Sequence, residues 1–318
     1  MSTIASSSPA LSREPNDDDV EALPLRHPLR WVGAAAVVAV AGMLAYSIAT
    51  NRNIDFAVVA DYLFDRRIIS GAWLTVWLTA ASMVVSTLLA IVVAGMRLSA
   101  NPVLSGVAWL YTWAFRGTPL LVQIVFWGYL GLLWSTIKIG IPFTNIVLWQ
   151  KDTNQLVTAL MAGFLALTLN QAAYSAEIVR AGMLSVDEGQ REAAYSLGMS
   201  PLYTFRRVIL PQAMRVIIPP MGNETISMLK NTSLLSVIAV LEMYTQASLI
   251  SSQNLRQVEL LIVVSIWYLC MTSLMSIPQF YMERRFGRGS TRNLPPTPIQ
   301  RFKAALAQTR LARKVASA

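Results

Sequence analysis

Charged side chains interrupt apolar runs at Arg116, Glu177, Arg180, Glu224, Lys230 and Glu242. A charge inside an apolar, membrane-like stretch is costly, so it defaults to binding a polar substrate or ion, or to pairing with another charge. Glu177 and Arg180 stand three residues apart, the spacing of a pair on one helix face. Glu224 and Lys230 fall in a stretch interrupted at Pro219-Pro220 and at Lys230-Asn231-Thr232-Ser233. They are candidates to line or brace a polar path. The hydroxyls of Thr232 and Ser233 would serve either a zwitterion or a bent backbone. Arg116, beside Gly117, Thr118 and Pro119, either anchors a helix end at an interface or faces the same path. Glu242 is expected at the outer boundary.

Other chemistry is scarce. The one histidine, His27, sits in a polar N-terminal tail, and the one cysteine, Cys270, sits in an apolar run. An intramolecular disulfide and a Cys-rich metal site are therefore excluded. Serine–histidine catalysis would have to come from the tail. There is no Gly-x-x-x-x-Gly-Lys-Ser/Thr and no Gly-Lys pair, so a phosphate-cradling loop of that type is missing. Catalytic residues, metal and cofactor are all expected to be none.

These residues must be positioned by membrane-spanning helices. The 318 residues are 54% hydrophobic and 14% charged, with mean hydropathy +0.48, against about 25% charged in soluble domains. The net charge of +9 lies in the tails and in short connections between apolar runs. It reads as a topology signal, not as a nucleic-acid footprint.

Residues 1–30 are Ser-, Pro- and Asp-rich and are expected to be a disordered tail. Residues 31–49 form an uncharged run about long enough to cross a bilayer. Their long acidic flank disfavours a cleaved signal peptide. Further runs cover 71–96, 103–134 with a break at 116–119, 156–178, 213–250 and 260–281, with a loop at 135–156. The expected fold is an all-α, polytopic membrane bundle of about six helices. Eighteen of the 26 Lys and Arg residues fall in the N-tail, 97–102, 179–215 and the C-tail, and six in the opposite connections. The richer side, with both termini, is expected to be cytoplasmic. Residues 213–250 then make one net crossing. They are too long for one straight helix, so part must bend, re-enter or lie on the surface. Trp109, Trp113, Trp134 and Trp149 suit interfacial belts, and the basic tail at 285–318 suits anionic lipid.

The polar stretch 179–212 is the most informative. Ser185-Val186-Asp187-Glu188 has capping-box spacing and predicts a helix over 186–197. Ala193, Ala194 and Leu197 form a small apolar strip on it, beside exposed Gln190, Arg191 and Ser196. Gly198 suits the left-handed closing position. Ser200-Pro201 then predicts a second helix, running to Leu210 and stopped by Pro211.

Glu192-Ala193-Ala194, Gly198 and Val208-Ile209-Leu210-Pro211 resemble the EAA loop of bacterial ABC importer permeases, with Val208 in place of Ile. The segments 116–123 (Arg-Gly-Thr-Pro-Leu-Leu-Val-Gln), 173–180 and 230–234 resemble the polar amino acid group of that family, which takes up histidine, glutamine, glutamate and arginine. Ala181 stands where that group usually has Gly, and the run at 31–49 lies outside the similar core. The resemblance implies a transmembrane domain over 70–284, a five-helix core plus the N-terminal helix. It implies that Arg191, Glu192, Ala193, Ala194, Gly198, Leu210 and Pro211 contact a cytoplasmic ATPase subunit. Arg116, Thr118, Gln123, Glu224, Lys230, Thr232 and Ser233 are the pathway or gate candidates. Expected partners are the ATPase subunits, a second permease subunit, an extracytoplasmic amino acid binding protein and membrane lipid. The expected location is the bacterial cytoplasmic membrane. An ion-coupled secondary transporter is the alternative; it would explain the intramembrane carboxylates but not the EAA spacing.

Overall fold

The computed structural model describes residues 28–140 and 147–286. Most of the tails assigned to 1–30 and 285–318 lies outside them. The first unit ends at Ile54. Its helix α1 (Pro28–Ala49) begins before the expected tail ends, and the residues from Val32 onward are exposed.

The second unit is a helical bundle. Its elements are α2 (Phe56–Leu63), α3 (Arg66–Arg97), α4 (Pro102–Gly117), α5 (Leu120–Gly128) and α6 (Leu130–Leu133). A hairpin of β1 (Thr136–Gly140) and β2 (Val147–Asp152) follows, then α7 (Thr153–Leu156), α8 (Ala159–Leu184), α9 (Glu188–Ser196) and α10 (Pro201–Thr204). A π-helical turn (Phe205–Ile209) leads into α11 (Leu210–Asn231), a 3-10 segment (Thr232–Ile238), α12 (Met243–Asn254) and α13 (Gln257–Phe286). Short polar side chains start many of these helices by accepting an otherwise orphaned backbone N–H: Asp55, Asp65, Asn101, Asp152, Thr158 and Asp187.

Packing is inverted relative to a soluble protein. The buried face of α3 carries Gly71, Ala72, Thr75, Thr79, Ser82, Ser86, Ala90 and Ala94. Gly71 and Thr75 lie against the start of α12, while the rest of α3 meets a similar face of α8, with Ala90 and Ala94 packed on Ala176. Trp73, Val84, Leu88, Ile91 and Val92 point outward. Small residues let backbones approach closely where lipid offers no hydrophobic drive for helices to associate. Larger side chains fill the rest of the core, with Ile68, Leu229, Met243, Leu260 and Val263 in one cluster. Leu78, Ile124, Leu167, Met228 and Leu235 form another. Val32–Ala49, α3 and α13 are each long and apolar enough to cross a membrane, and the segment Pro201–Ile238 with Met243–Asn254 forms a bent pair at 45°.

Four local expectations are corrected. The loop at 135–156 holds an antiparallel hairpin. Ser185 does not cap α9: its hydroxyl donates to Gly182 O (2.7 Å), and Asp187 takes the cap by accepting from Gly189 N (2.8 Å). Either oxygen could have closed the motif, and Asp187 lies directly at the start of the helix. Pro211 does not stop the second helix. The π turn before it inserts an extra residue, so Pro211 falls in the first turn of α11, where no N–H is needed. Pro219 and Pro220 also lie inside α11. The bend comes later, at 239–242, where Ala239 is left-handed (φ 56°).

Candidate functional site

The break between α4 and α5 follows from Pro119, which cannot continue a helix and pushes Thr118 to extended backbone. It leaves carbonyls at the end of α4 without helical partners. Side-chain amides supply them. Gln123 Nε2 donates to Phe115 O (2.9 Å), Thr118 O (3.2 Å) and Thr118 Oγ1 (2.7 Å). Asn170 Nδ2, from α8, donates to Phe115 O (3.1 Å) and to Gln123 Oε1 (3.2 Å). Gln123→Leu removes this bracing and is expected to cost about 1–3 kcal/mol, the penalty for unpaired buried polar groups. A thermal melt of the purified protein in detergent checks it, and an unchanged melting temperature would mean water replaces the amide.

Beside the break lies a cavity of about 490 Å³ lined by Arg116, Thr118, Asn170, Gln171, Tyr174, Glu224 and their neighbours. Gln171 Nε2 donates to Glu224 Oε2 (3.0 Å) and to Ser175 Oγ (3.2 Å). The cavity therefore presents a carboxylate from α11, a guanidinium from α4 and two amides from α8. Such a lining suits a small molecule carrying both charges.

Of the seven pathway candidates, Arg116, Thr118 and Glu224 line the cavity, and Gln123 braces its wall. Lys230, Thr232 and Ser233 do not line it. Lys230 is exposed, while Thr232 Oγ1 donates to Leu229 O (2.8 Å) and Ser233 Oγ to Lys230 O (2.7 Å), so these hydroxyls serve the backbone at the end of α11. Asn170, Gln171 and Tyr174 were missed. The signal was present as two adjacent amides inside an apolar run.

Arg116 also reaches a second cluster. Glu177 on α8 accepts from Arg180 Nε and NH2 at 3.0 and 2.8 Å, as its spacing predicts. Its carboxylate lies 3.6 Å from Arg97 Nε on α3 and 4.0 Å from Arg116 NH1 on α4. The Arg116 guanidinium sits 5.4 Å over the Tyr174 ring, within cation–π range. One acid thus ties three helices together beside the cavity. Sequence spacing exposed only the local partner.

The stretch after α8 is compact. α9 closes through Gly198, at φ +75°. Met199 N donates to Ala194 O (3.1 Å) and Gly198 N to Tyr195 O (2.9 Å), the paired bonds of a Schellman motif. Pro201 then opens α10. Ala194 turns inward and is buried, while Arg191, Glu192 and Ala193 are exposed. Leu197 is 82% exposed, and Leu202 and Tyr203 are exposed beside it. The apolar strip is therefore split: Ala194 supports the element from behind, and Leu197 faces outward. Pro211 is exposed and Leu210 half-buried. Gln212 Nε2 donates to Val208 O (3.0 Å) and reaches Gln190 Oε1 (3.4 Å), joining α9 to α11.

Comparison with known proteins extends this picture. Residues 86–288 match the family described as binding-protein-dependent transport system inner membrane component. The chain is 48% identical over 276 residues to the arginine transport system permease protein ArgU of Corynebacterium glutamicum, covering 86% of this chain and 85% of that protein. It is 38% identical over 221 residues to the L-cystine transport system permease protein TcyB of Bacillus subtilis, covering 69% and 86%. A crystal structure of an amino acid ABC transporter with histidines superposes with a TM-score of 0.61 at 36% identity, over 73% of this chain and 99% of that one.

Proposed function

Because this chain belongs to the family of binding-protein-dependent transport system inner membrane components, we propose that it is the membrane subunit of an ATP-driven importer of polar amino acids. The cavity carries the reading of the cargo. Glu224 offers its carboxylate to an ammonium or guanidinium group, Arg116 offers its guanidinium to a carboxylate, and the amides of Asn170 and Gln171 line the same cavity. The relatives named for arginine and cystine transport support the same class of cargo.

The helix–Gly–helix element over 188–204 is the docking peg for an ATPase subunit. Arg191, Glu192, Ala193, Gly198, Pro211 and the exposed Leu197 meet the partner, and the buried Ala194 and half-buried Leu210 support the peg from behind. The chain itself lacks a phosphate-cradling loop, so ATP is bound and hydrolysed by separate subunits. Two permease subunits pair, and an extracytoplasmic binding protein delivers the amino acid. In this reading the chain crosses the bacterial cytoplasmic membrane six times, with both termini inside. The crossings are α1, α3, the broken α4–α5, α8, the bent α11–α12 and α13. ATP binding closes the ATPase pair, the pegs move together, and the spans rock to face outward. Hydrolysis and product release restore the inward-facing state.

Uptake by the complete complex in proteoliposomes tests this. Uptake of a labelled polar amino acid is expected to require ATP inside and to be blocked by vanadate. Dependence on an ion gradient without ATP would instead favour the secondary transporter. Glu224→Gln keeps a partner for Gln171 but removes the charge. It is expected to raise KM roughly tenfold or more, the loss of a charge-assisted hydrogen bond. An unchanged KM would take Glu224 out of the cargo site.

A further inference from the structure

Between its base and an irregularity at Leu148, which is unpaired and exposed, the β1–β2 hairpin divides its side chains by face. Ile137 stands opposite Lys151 and Ile139 opposite Trp149, while Thr136 stands opposite Asp152 and Lys138 opposite Gln150. Directly opposed residues of an antiparallel pair share a face. One face therefore carries Ile137, Ile139, Trp149 and Lys151, and the other Thr136, Lys138, Gln150 and Asp152. Both are largely open: all of β2 is exposed, as are Lys138 and Ile139. A hairpin with one apolar and one polar face is built for a boundary between two solvents.

Its place in the fold identifies that boundary. The hairpin leads through α7 into the start of α8, whereas the peg of α9 follows the end of α8. The 26 residues of α8 span about 39 Å at 1.5 Å per residue, close to the full thickness of a bilayer with its headgroups. With α8 as a crossing, on which this inference rests as part of the proposed function, the hairpin lies at the membrane surface opposite the peg. The chain leading into β1 is also apolar and exposed, at Leu132, Leu133 and Trp134. Its base is fixed: Thr153 is buried, its hydroxyl donates to Trp134 O, and Thr153 N donates to Ser135 O (3.0 Å). A fixed base holds the two faces at a set angle.

We propose that the hairpin lies flat on the extracytoplasmic leaflet, with Ile137, Ile139, Trp149 and Lys151 set into the phospholipid headgroup region. Tryptophan concentrates at that depth because its ring is apolar with one polar N–H. Lys151 lays its methylenes along the apolar face and carries its ammonium to a lipid phosphate. The polar face, with Lys138 and Gln150, stays in water. Lipid is the occupant that accounts for an apolar face bearing both a Trp and a Lys and preceded in the chain by exposed Leu132, Leu133 and Trp134.

Spin labels test this on the full chain in nanodiscs containing phosphatidylglycerol. Cys270→Ser removes the native thiol, and Ile139→Cys or Lys138→Cys then places one label on either face. Both positions are exposed, so folding is preserved, and monodisperse elution confirms it. The label at 139 is expected to relax more with oxygen than with a water-soluble nickel chelate, and the label at 138 the reverse. Equal access of nickel to both would place the hairpin in water and overturn the proposal. A label at 139 shielded from both reagents would mean that a protein, not lipid, covers this face, and would overturn it as well.

Discussion

Gly198→Asp is expected to strip the ATPase subunits from the purified complex and to reduce ATP-driven uptake by roughly 100-fold, the loss typical of removing an interface hot spot. Two effects combine. Gly198 sits at φ +75°, where a side chain costs about 1–2 kcal/mol of strain. The new carboxylate also falls beside the exposed Leu197, on the surface assigned to the partner. Gly198→Ala carries the strain alone and is expected to weaken capture only several-fold. Glu192→Lys leaves the backbone intact and reverses an exposed charge, so its effect measures contact without strain. Co-purification, with each variant first checked for membrane insertion, reads all three. Full capture by the Asp variant would remove the peg from the mechanism and leave the cavity reading standing.

Glu242→Leu is expected to destabilise the fold by about 3–5 kcal/mol, the summed penalty for leaving several buried donors unpaired at about 1–3 kcal/mol each. The side chain is fully buried. It accepts from Tyr244 N (3.0 Å), Thr245 N (2.7 Å) and Thr245 Oγ1 (3.0 Å), which starts α12. It also accepts from Thr75 Oγ1 (3.3 Å) on α3 and Tyr268 OH (3.2 Å) on α13. One carboxylate therefore caps the helix after the bend and ties the bend to two spans. Gly71 makes this approach possible, since a Cβ there would lie 2.7 Å from Met243 Cα. Glu242→Gln retains one acceptor oxygen and is expected to lose less. Melting temperatures in detergent rank the wild type, Gln and Leu variants in that order. Equal values for Gln and Leu would show that the charge, not the shape, carries the interaction.

Glu242 also marks the limit of sequence reading. Its burial and its role as the cap of α12 are not visible in the sequence. Its partners Thr75 and Tyr268 lie far away in the chain, and no local pattern brings them together. The same holds for Glu177. The spacing to Arg180 revealed the pair, but Arg97 and Arg116 reach it only because α3 and α4 pack on α8. Gln123 and Asn170 likewise meet across the α4–α5 break, 47 residues apart in sequence. Pro211 failed as a stop signal because the π turn before it is a register choice that the whole bundle supports.

What the sequence determined by itself is what depends on neighbours along the chain. Uncharged runs set α1, α3 and α13, because each residue must suit lipid. Pro119 set the break after α4, and Gly198 the left-handed turn, because these are properties of single residues. The spacing around Glu192 and Gly198 placed the chain in its family. The tertiary structure decided which polar groups share a cavity, which way Ala194 and Leu197 turn, and where residues 213–250 bend. Those outcomes depend on close approach between helices, through small faces such as Gly71 and Ala72 against their neighbours. A buried polar group takes whichever partner that packing brings within reach.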